Sequence, residues 1–199
     1  SRAYLEIQNG CNHSCTFCII PQGRGLSKSV PMDTILEKIR NLVNKGFKEI
    51  VLTGVDITCW GSDIAGNDKL GDLVNNILNK TPNLPRLRLS SLDVSEMDDN
   101  LLHVFKTNKR MMPHLHLSLQ SGNNLILKRM KRRHSREQAI DLCRNLKAAR
   151  PEVTFGADLI AGFPTESDTM FLDTIRLVDD CDISWLHIFP YSGRPNTPA

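Results

Sequence analysis

The chain has 199 residues, of which 40% are hydrophobic and 24% charged, and a formal net charge of +3. That balance predicts a single globular domain and excludes an argument for nucleic-acid binding from total charge alone. No apolar run approaches the roughly 18–20 residues that cross a bilayer, and no signal-like stretch opens the sequence, so a cytoplasmic protein without a membrane segment is expected.

Strand and helix patterns alternate along the chain. Residues 3–8 read as a strand, and a cysteine-bearing run follows it. Residues 33–45 place Ile35, Leu36, Ile39, Leu42 and Val43 at helical spacing before Gly46. A short apolar strand is expected over 49–53, then a helix over 70–80 ended by Pro82. Residues 86–90 read as strand, 98–107 as helix, and 115–119 as a strand alternating Leu with His and Ser. Ser135 and Gln138 form a capping box that opens a helix over 135–149. Strand 153–160, helix 167–179 and strand 184–189 complete the pattern. Six strands with five intervening helices imply parallel pairing and right-handed crossovers. The fold class is α/β, and the chain is shorter than the about 250 residues of a closed eight-unit barrel. A partial (β/α)6 TIM-like barrel is therefore expected, with an open doubly wound sheet as the alternative.

The six cysteines in 199 residues are too few for a disulfide scaffold of this length. Cys143 lies in a helical apolar pattern and reads as core. Cys11, Cys15 and Cys18 are different, because they crowd the loop after the first strand. Fully extended, that loop would span roughly 23–25 Å, so it must curl for the sulfurs to converge; Gly10, Asn12 and Ser14 suit such a turn. A structural zinc site needs four ligands, and ferredoxin-type clusters take four cysteines. Three thiolates fit a 4Fe–4S cluster with one iron open. A zinc site completed by Cys59 or His13 is the competing reading.

The other strand ends are polar as well. They carry Gly54 and Asp56, then Ser90, Ser91 and Asp93, then Gln120, Ser121 and Gly122, with Gly162 and Pro190 opening the last two loops. In a parallel barrel these loops share one face, where active sites assemble. Lys128, Arg129, Lys131, Arg132, Arg133 and Arg136 also crowd one segment. It reads either as a phosphate-binding surface or as a solvated loop and first helical turn.

The Cys-x3-Cys-x2-Cys spacing after a first barrel strand resembles the radical S-adenosylmethionine (radical SAM) superfamily. Its flanks, Ile7-Gln-Asn-Gly-Cys11 and Cys15-Thr-Phe-Cys-Ile-Ile-Pro21 with Arg24-Gly25, are similar to the methylthiotransferases. So are His116-Leu-Ser-Leu-Gln-Ser-Gly122, Leu127-Lys-Arg-Met130 with Arg132, and Gly162-Phe-Pro164. Leu52-Thr-Gly-Val-Asp56 and Leu186-His-Ile-Phe-Pro-Tyr-Ser192 resemble the MtaB branch, which acts on threonylcarbamoyladenosine in tRNA.

The resemblance implies a catalytic centre in which Cys11, Cys15 and Cys18 hold a 4Fe–4S cluster. S-adenosyl-L-methionine would sit on the fourth iron and be cleaved to a 5′-deoxyadenosyl radical, using an external one-electron reductant. The radical would act on carbon 2 of a tRNA adenine. Phe17, Gly54, Ser90, Ser91, Gln120 and Arg132 are the implied cofactor-binding residues, with Arg132 toward the cofactor carboxylate. Asp56 or Asp158 either binds substrate or steadies a loop. Members of the family also carry an N-terminal auxiliary-cluster domain and a C-terminal RNA-binding domain, so residues 1–199 are expected to be the core alone, incomplete for the whole reaction. The ribosomal-protein branch, or a metal- and RNA-binding scaffold without catalysis, remains the alternative.

Overall fold

The computed structural model describes all 199 residues. The strands are β1 (Arg2–Asn9), β2 (Lys28–Ser29), β3 (Glu49–Gly54), β4 (Arg86–Leu89), β5 (Ser91–Leu92), β6 (His114–Gln120), β7 (Thr154–Ala161) and β8 (Ile183–Pro190). The helices are α1 (Ile20–Arg24), α2 (Met32–Asn44), α3 (Leu70–Lys80), α4 (Asp99–Thr107), α5 (Asn124–Arg129), α6 (Arg136–Ala149) and α7 (Asp168–Asp180). No helix is long and apolar enough to cross a membrane.

The parallel wall runs in two halves. β1, β3 and β4 pair in order, with short β2 antiparallel on the outer side of β1. β5, β6, β7 and β8 form the second half, all parallel. The halves meet within what the sequence presents as one strand over 86–90. β4 pairs with β3, β5 pairs with β6, and Ser90 stands between them. Its amide still donates to the Leu52 carbonyl at 3.0 Å, while its hydroxyl is buried without a partner. This break turns the sheet into a curved, partly open barrel, as expected.

Periodicity decides which face is packed. On β6, Leu115, Leu117 and Leu119 are buried against the helices, whereas His114, His116, Ser118 and Gln120 alternate onto the half-open inner face. The helices bury stripes such as Ile35, Leu36 and Ile39 of α2 and Leu73, Val74 and Ile77 of α3. Side-chain caps start the later ones: Asp98 accepts from the Leu101 amide at 2.9 Å, and Ser135 and Gln138 make the expected capping box. Most apolar residues join one continuous core. A second small cluster, Ile126, Met130, Ile160 and Phe163, lies beneath the cysteine loop with Phe17 packed on it.

At the opposite end of the barrel, Glu49 is buried and accepts from the Nε of Arg88 at 2.7 Å, Arg2 at 2.9 Å and Arg86 at 3.2 Å. Burial alone would raise its pKa, but the arginines outweigh it and hold the carboxyl below its usual range. Replacing Glu49 by Gln is expected to cost about 1–3 kcal/mol, read as a lower urea midpoint with an unchanged slope.

Candidate active site

The first loop is fastened by a buried amide. Gln8 is fully buried, and its Nε2 donates to the Gly10 carbonyl at 2.7 Å and to the Ser27 hydroxyl at 2.9 Å. Its Oε1 accepts from the Asp56 amide at 2.8 Å, so one side chain ties the cysteine loop to the loop after β3. Beyond it the chain turns at Gly10, where φ is 72°, and the Cys11 amide bonds the Gly25 carbonyl at 3.1 Å. Thr16 then ties the loop to the end of α5: its amide and hydroxyl bond the carbonyls of Met130 and Arg129 at 3.2 and 2.8 Å.

This scaffold brings Cys11, Cys15 and Cys18 to one cavity of about 190 Å³, which Phe17, Ser91, Gln120 and Arg132 also line. All the cysteines are free thiols. Burial pushes the Cys11 thiol up to about 11 and raises Cys18 as well, so both are protonated at neutral pH when no metal binds. Cys11 lies 3.7 Å from Asp56 Oδ2, and Cys15 lies 3.8 Å from Arg132 Nη1.

Arg132 is held firmly. Its Nη2 donates to Asp93 at 2.8 Å and to the Ser118 carbonyl at 2.7 Å, while its buried Nε has no partner. Asp93 also takes Arg133 at 2.8 Å and the Ser95 amide at 3.0 Å. Burial would raise Asp93, but Arg132, Ser95 and Arg133 overcome this and hold it at about 2.

Two of the residues singled out from sequence do not line the cavity. Gly54 packs against β1: a Cβ there would fall 2.6 Å from the Gln8 carbonyl oxygen, so its missing side chain serves strand contact. Ser90 sits at the seam between β4 and β5. Gln120 reaches the cavity with φ at 68°, an uncommon backbone state for a non-glycine residue. Cys59 faces a neighbouring cavity of about 640 Å³. Its thiol is 3.4 Å from His13 Nε2 and 3.2 Å from Glu96 Oε2, and burial with Asp56 and Glu96 drives its pKa upward. His13 Nε2 in turn pairs with Asp56 Oδ2 at 2.8 Å.

The arginines of the basic segment are engaged by groups of the protein itself. Arg133 also meets Glu96 at 3.0 Å, Arg136 pairs with Asp180 at 2.5 Å, and Arg129 donates to the Thr165 hydroxyl at 2.7 Å. Lys128, Arg129, Lys131 and Arg133 are exposed, the two lysines without an ion pair. The density of bases in sequence therefore overstates the charge offered to an outside phosphate.

Sequence reasoning named Asp158 but did not connect it with His116 and His187 on the inner face. His116 Nε2 and His187 Nδ1 both meet Asp158 Oδ1, at 2.8 and 3.1 Å. Burial opposes ionisation of Asp158, but the two imidazoles prevail and lower its pKa. Asp158 and the segments that hold the two histidines were each marked in the sequence, but their meeting was not.

The profile of the radical SAM superfamily matches residues 5–178. The chain belongs to that superfamily. It is 52% identical over 199 residues to the threonylcarbamoyladenosine tRNA methylthiotransferase MtaB of Rickettsia prowazekii, covering all of this chain and 47% of that protein. It is 38% identical to the tRNA-2-methylthio-N6-dimethylallyladenosine synthase of Erythrobacter litoralis over 199 residues, or 99% of this chain and 44% of that protein. The radical SAM chain thus spans about half the length of the curated relatives it matches. In structure it resembles the radical S-adenosylmethionine methyltransferase TsrM of Kitasatospora setae, with a TM-score of 0.79, 16% identity, and coverage of 98% of this chain and 38% of that one.

Proposed function

We propose that this chain is the radical-generating core of a tRNA methylthiotransferase, with Cys11, Cys15 and Cys18 holding a 4Fe–4S cluster. The observation that carries this reading is the convergence of these three thiols on one cavity that has no further cysteine in its lining. The donor set fits such a cluster: three soft ligands, and Phe17 and Ile20 as apolar cover. Held by Cys11, Cys15 and Cys18 and loaded with S-adenosylmethionine, such a cluster would supply one-electron reductive cleavage of the sulfonium, and the radical released would take hydrogen from the substrate.

The chain's own part is to position and to exclude water. Gln8 and Thr16 fix the loop at both ends. Phe17, seated on the small apolar cluster beneath, restricts solvent at the thiols. Ser91 and Gln120 offer hydrogen-bonding groups across the cavity. Arg132, aligned by Asp93, places a fixed positive charge beside Cys15 and suits the carboxylate of a bound amino acid. The MtaB relative at 52% identity supports threonylcarbamoyladenosine in tRNA as substrate.

The test is anaerobic reconstitution with iron and sulfide. About four irons per chain are expected, together with release of 5′-deoxyadenosine when dithionite and S-adenosylmethionine are added. A colourless protein that binds a single zinc ion and releases no nucleoside overturns the reading.

A further inference from the structure

The His116, Asp158 and His187 group has a defined construction. Strand register sets Ser91 beside His116, His116 beside Gly156, and Asp158 beside His187, so the group crosses β5 to β8 on the inner face. Asp158 Oδ1 takes both imidazoles, and its Oδ2 accepts from the Ser91 hydroxyl at 3.3 Å. The two rings stand 4.9 Å apart. Gly156 makes the space for the inner ring, because a Cβ there would lie 2.6 Å from His116 Nδ1. Exposure rises along the group, from 14% for the His116 side chain through 24% for Asp158 to 63% for His187. Ser91 and its neighbour Ser118, 3.2 Å away, both line the cysteine cavity. The array therefore runs from that cavity outward to one accessible imidazole.

An ionised carboxylate only accepts hydrogen bonds, so His187 presents its Nδ1–H to Asp158. Its Nε2 is left free of Asp158, and a ring that carries a proton on both nitrogens donates from Nδ1 to Asp158 and from Nε2 to a ligand oxygen. A held imidazolium of this kind matches an anionic oxygen. Covered by hydrocarbon instead, it would lose water without gaining a partner. The two kinds of relative differ in this chemistry: one name specifies a threonylcarbamoyl substituent, which ends in a carboxylate, and the other a dimethylallyl group, which is hydrocarbon.

We infer that His187, oriented by Asp158, is a specificity-determining residue that selects a substrate adenine whose N6 substituent carries a carboxylate. The inference rests on the tRNA-modifying function proposed above and names the substrate class of that site.

Fluorescence anisotropy with three labelled anticodon stem-loop RNAs tests it. One carries N6-threonylcarbamoyladenosine, one its carboxyl methyl ester, and one N6-dimethylallyladenosine. The wild-type chain should prefer the carboxylate RNA over both others. His187→Ala should weaken binding of the carboxylate RNA by about tenfold and erase that preference, and Asp158→Asn should lower it in the same direction. His187 is exposed, so an unchanged melting profile separates lost recognition from lost fold. A preference that survives His187→Ala, or a wild type that binds the acid and its ester alike, overturns the assignment while leaving the RNA-directed function standing. A wild type that binds none of the three RNAs overturns that function too.

Discussion

Replacing Cys15 by alanine is expected to abolish iron loading, from about four atoms per chain to almost none, while Cys143→Ala loads normally. The two side chains separate by position. Cys15 lines the cavity beside Arg132, whereas Cys143 is 2% exposed within the main core and reaches only its buried neighbours, Cys181 among them. Loss of Cys15 leaves two thiols, too few to hold three irons. Iron and sulfide assays with visible absorbance read the result, and far-ultraviolet circular dichroism shows whether each variant folds. Because Cys11 and Cys18 are raised by burial, assembly must release their protons and is favoured as pH rises. Equal metal content in the two variants would mean that other thiols hold the cluster.

The largest expected loss of stability follows from Asp93→Ala. The Asp93 and Arg132 side chains are 6% and 8% exposed, and Arg133 shares the same carboxylate oxygen. Removing one partner of a buried pair leaves an uncompensated charge and costs about 3–5 kcal/mol, or roughly 10 °C in melting temperature for a chain of this size. The pH dependence has a fixed sign. The folded-state pKa of Asp93 lies near 2, below its usual value of 3.8, so its contribution is fully present above that usual value. It disappears as pH falls from there toward 2. Thermal melts of wild type and variant should therefore converge under acid and diverge at neutral pH. Parallel curves across that window would mean that the Asp93 carboxylate does not anchor the two arginines.

Elements set by local periodicity were legible in the sequence. The apolar stripes of α2 and α3 and the alternation in β6 fall where their spacing put them, within about two residues. The Cys11, Cys15 and Cys18 loop stood out too, because the three thiols are compressed into one short run, and they meet at one cavity. α5 was missed, since its basic residues read as a loop before the capping box at Ser135. The division of the third strand was hidden because Arg86–Leu89 keeps a regular alternation up to Ser90, and only the neighbouring strands reveal the change of partner. Distance in sequence concealed the rest. Arg132 and Arg136 find their carboxylates in Asp93 and Asp180, about forty residues away in opposite directions. The His116, Asp158 and His187 group draws one residue from each of three strands, so no single motif contains it.

The seam at Ser90 divides the wall that carries the cysteine loop from the wall that carries the histidine group. Cys11, Cys15 and Cys18 ride on the half built from β1, whereas Asp158 and His187 ride on the half that ends at β8. Thr16 nevertheless anchors that loop to the Met130 and Arg129 carbonyls on the second half, so the three thiols are braced from both sides of the seam.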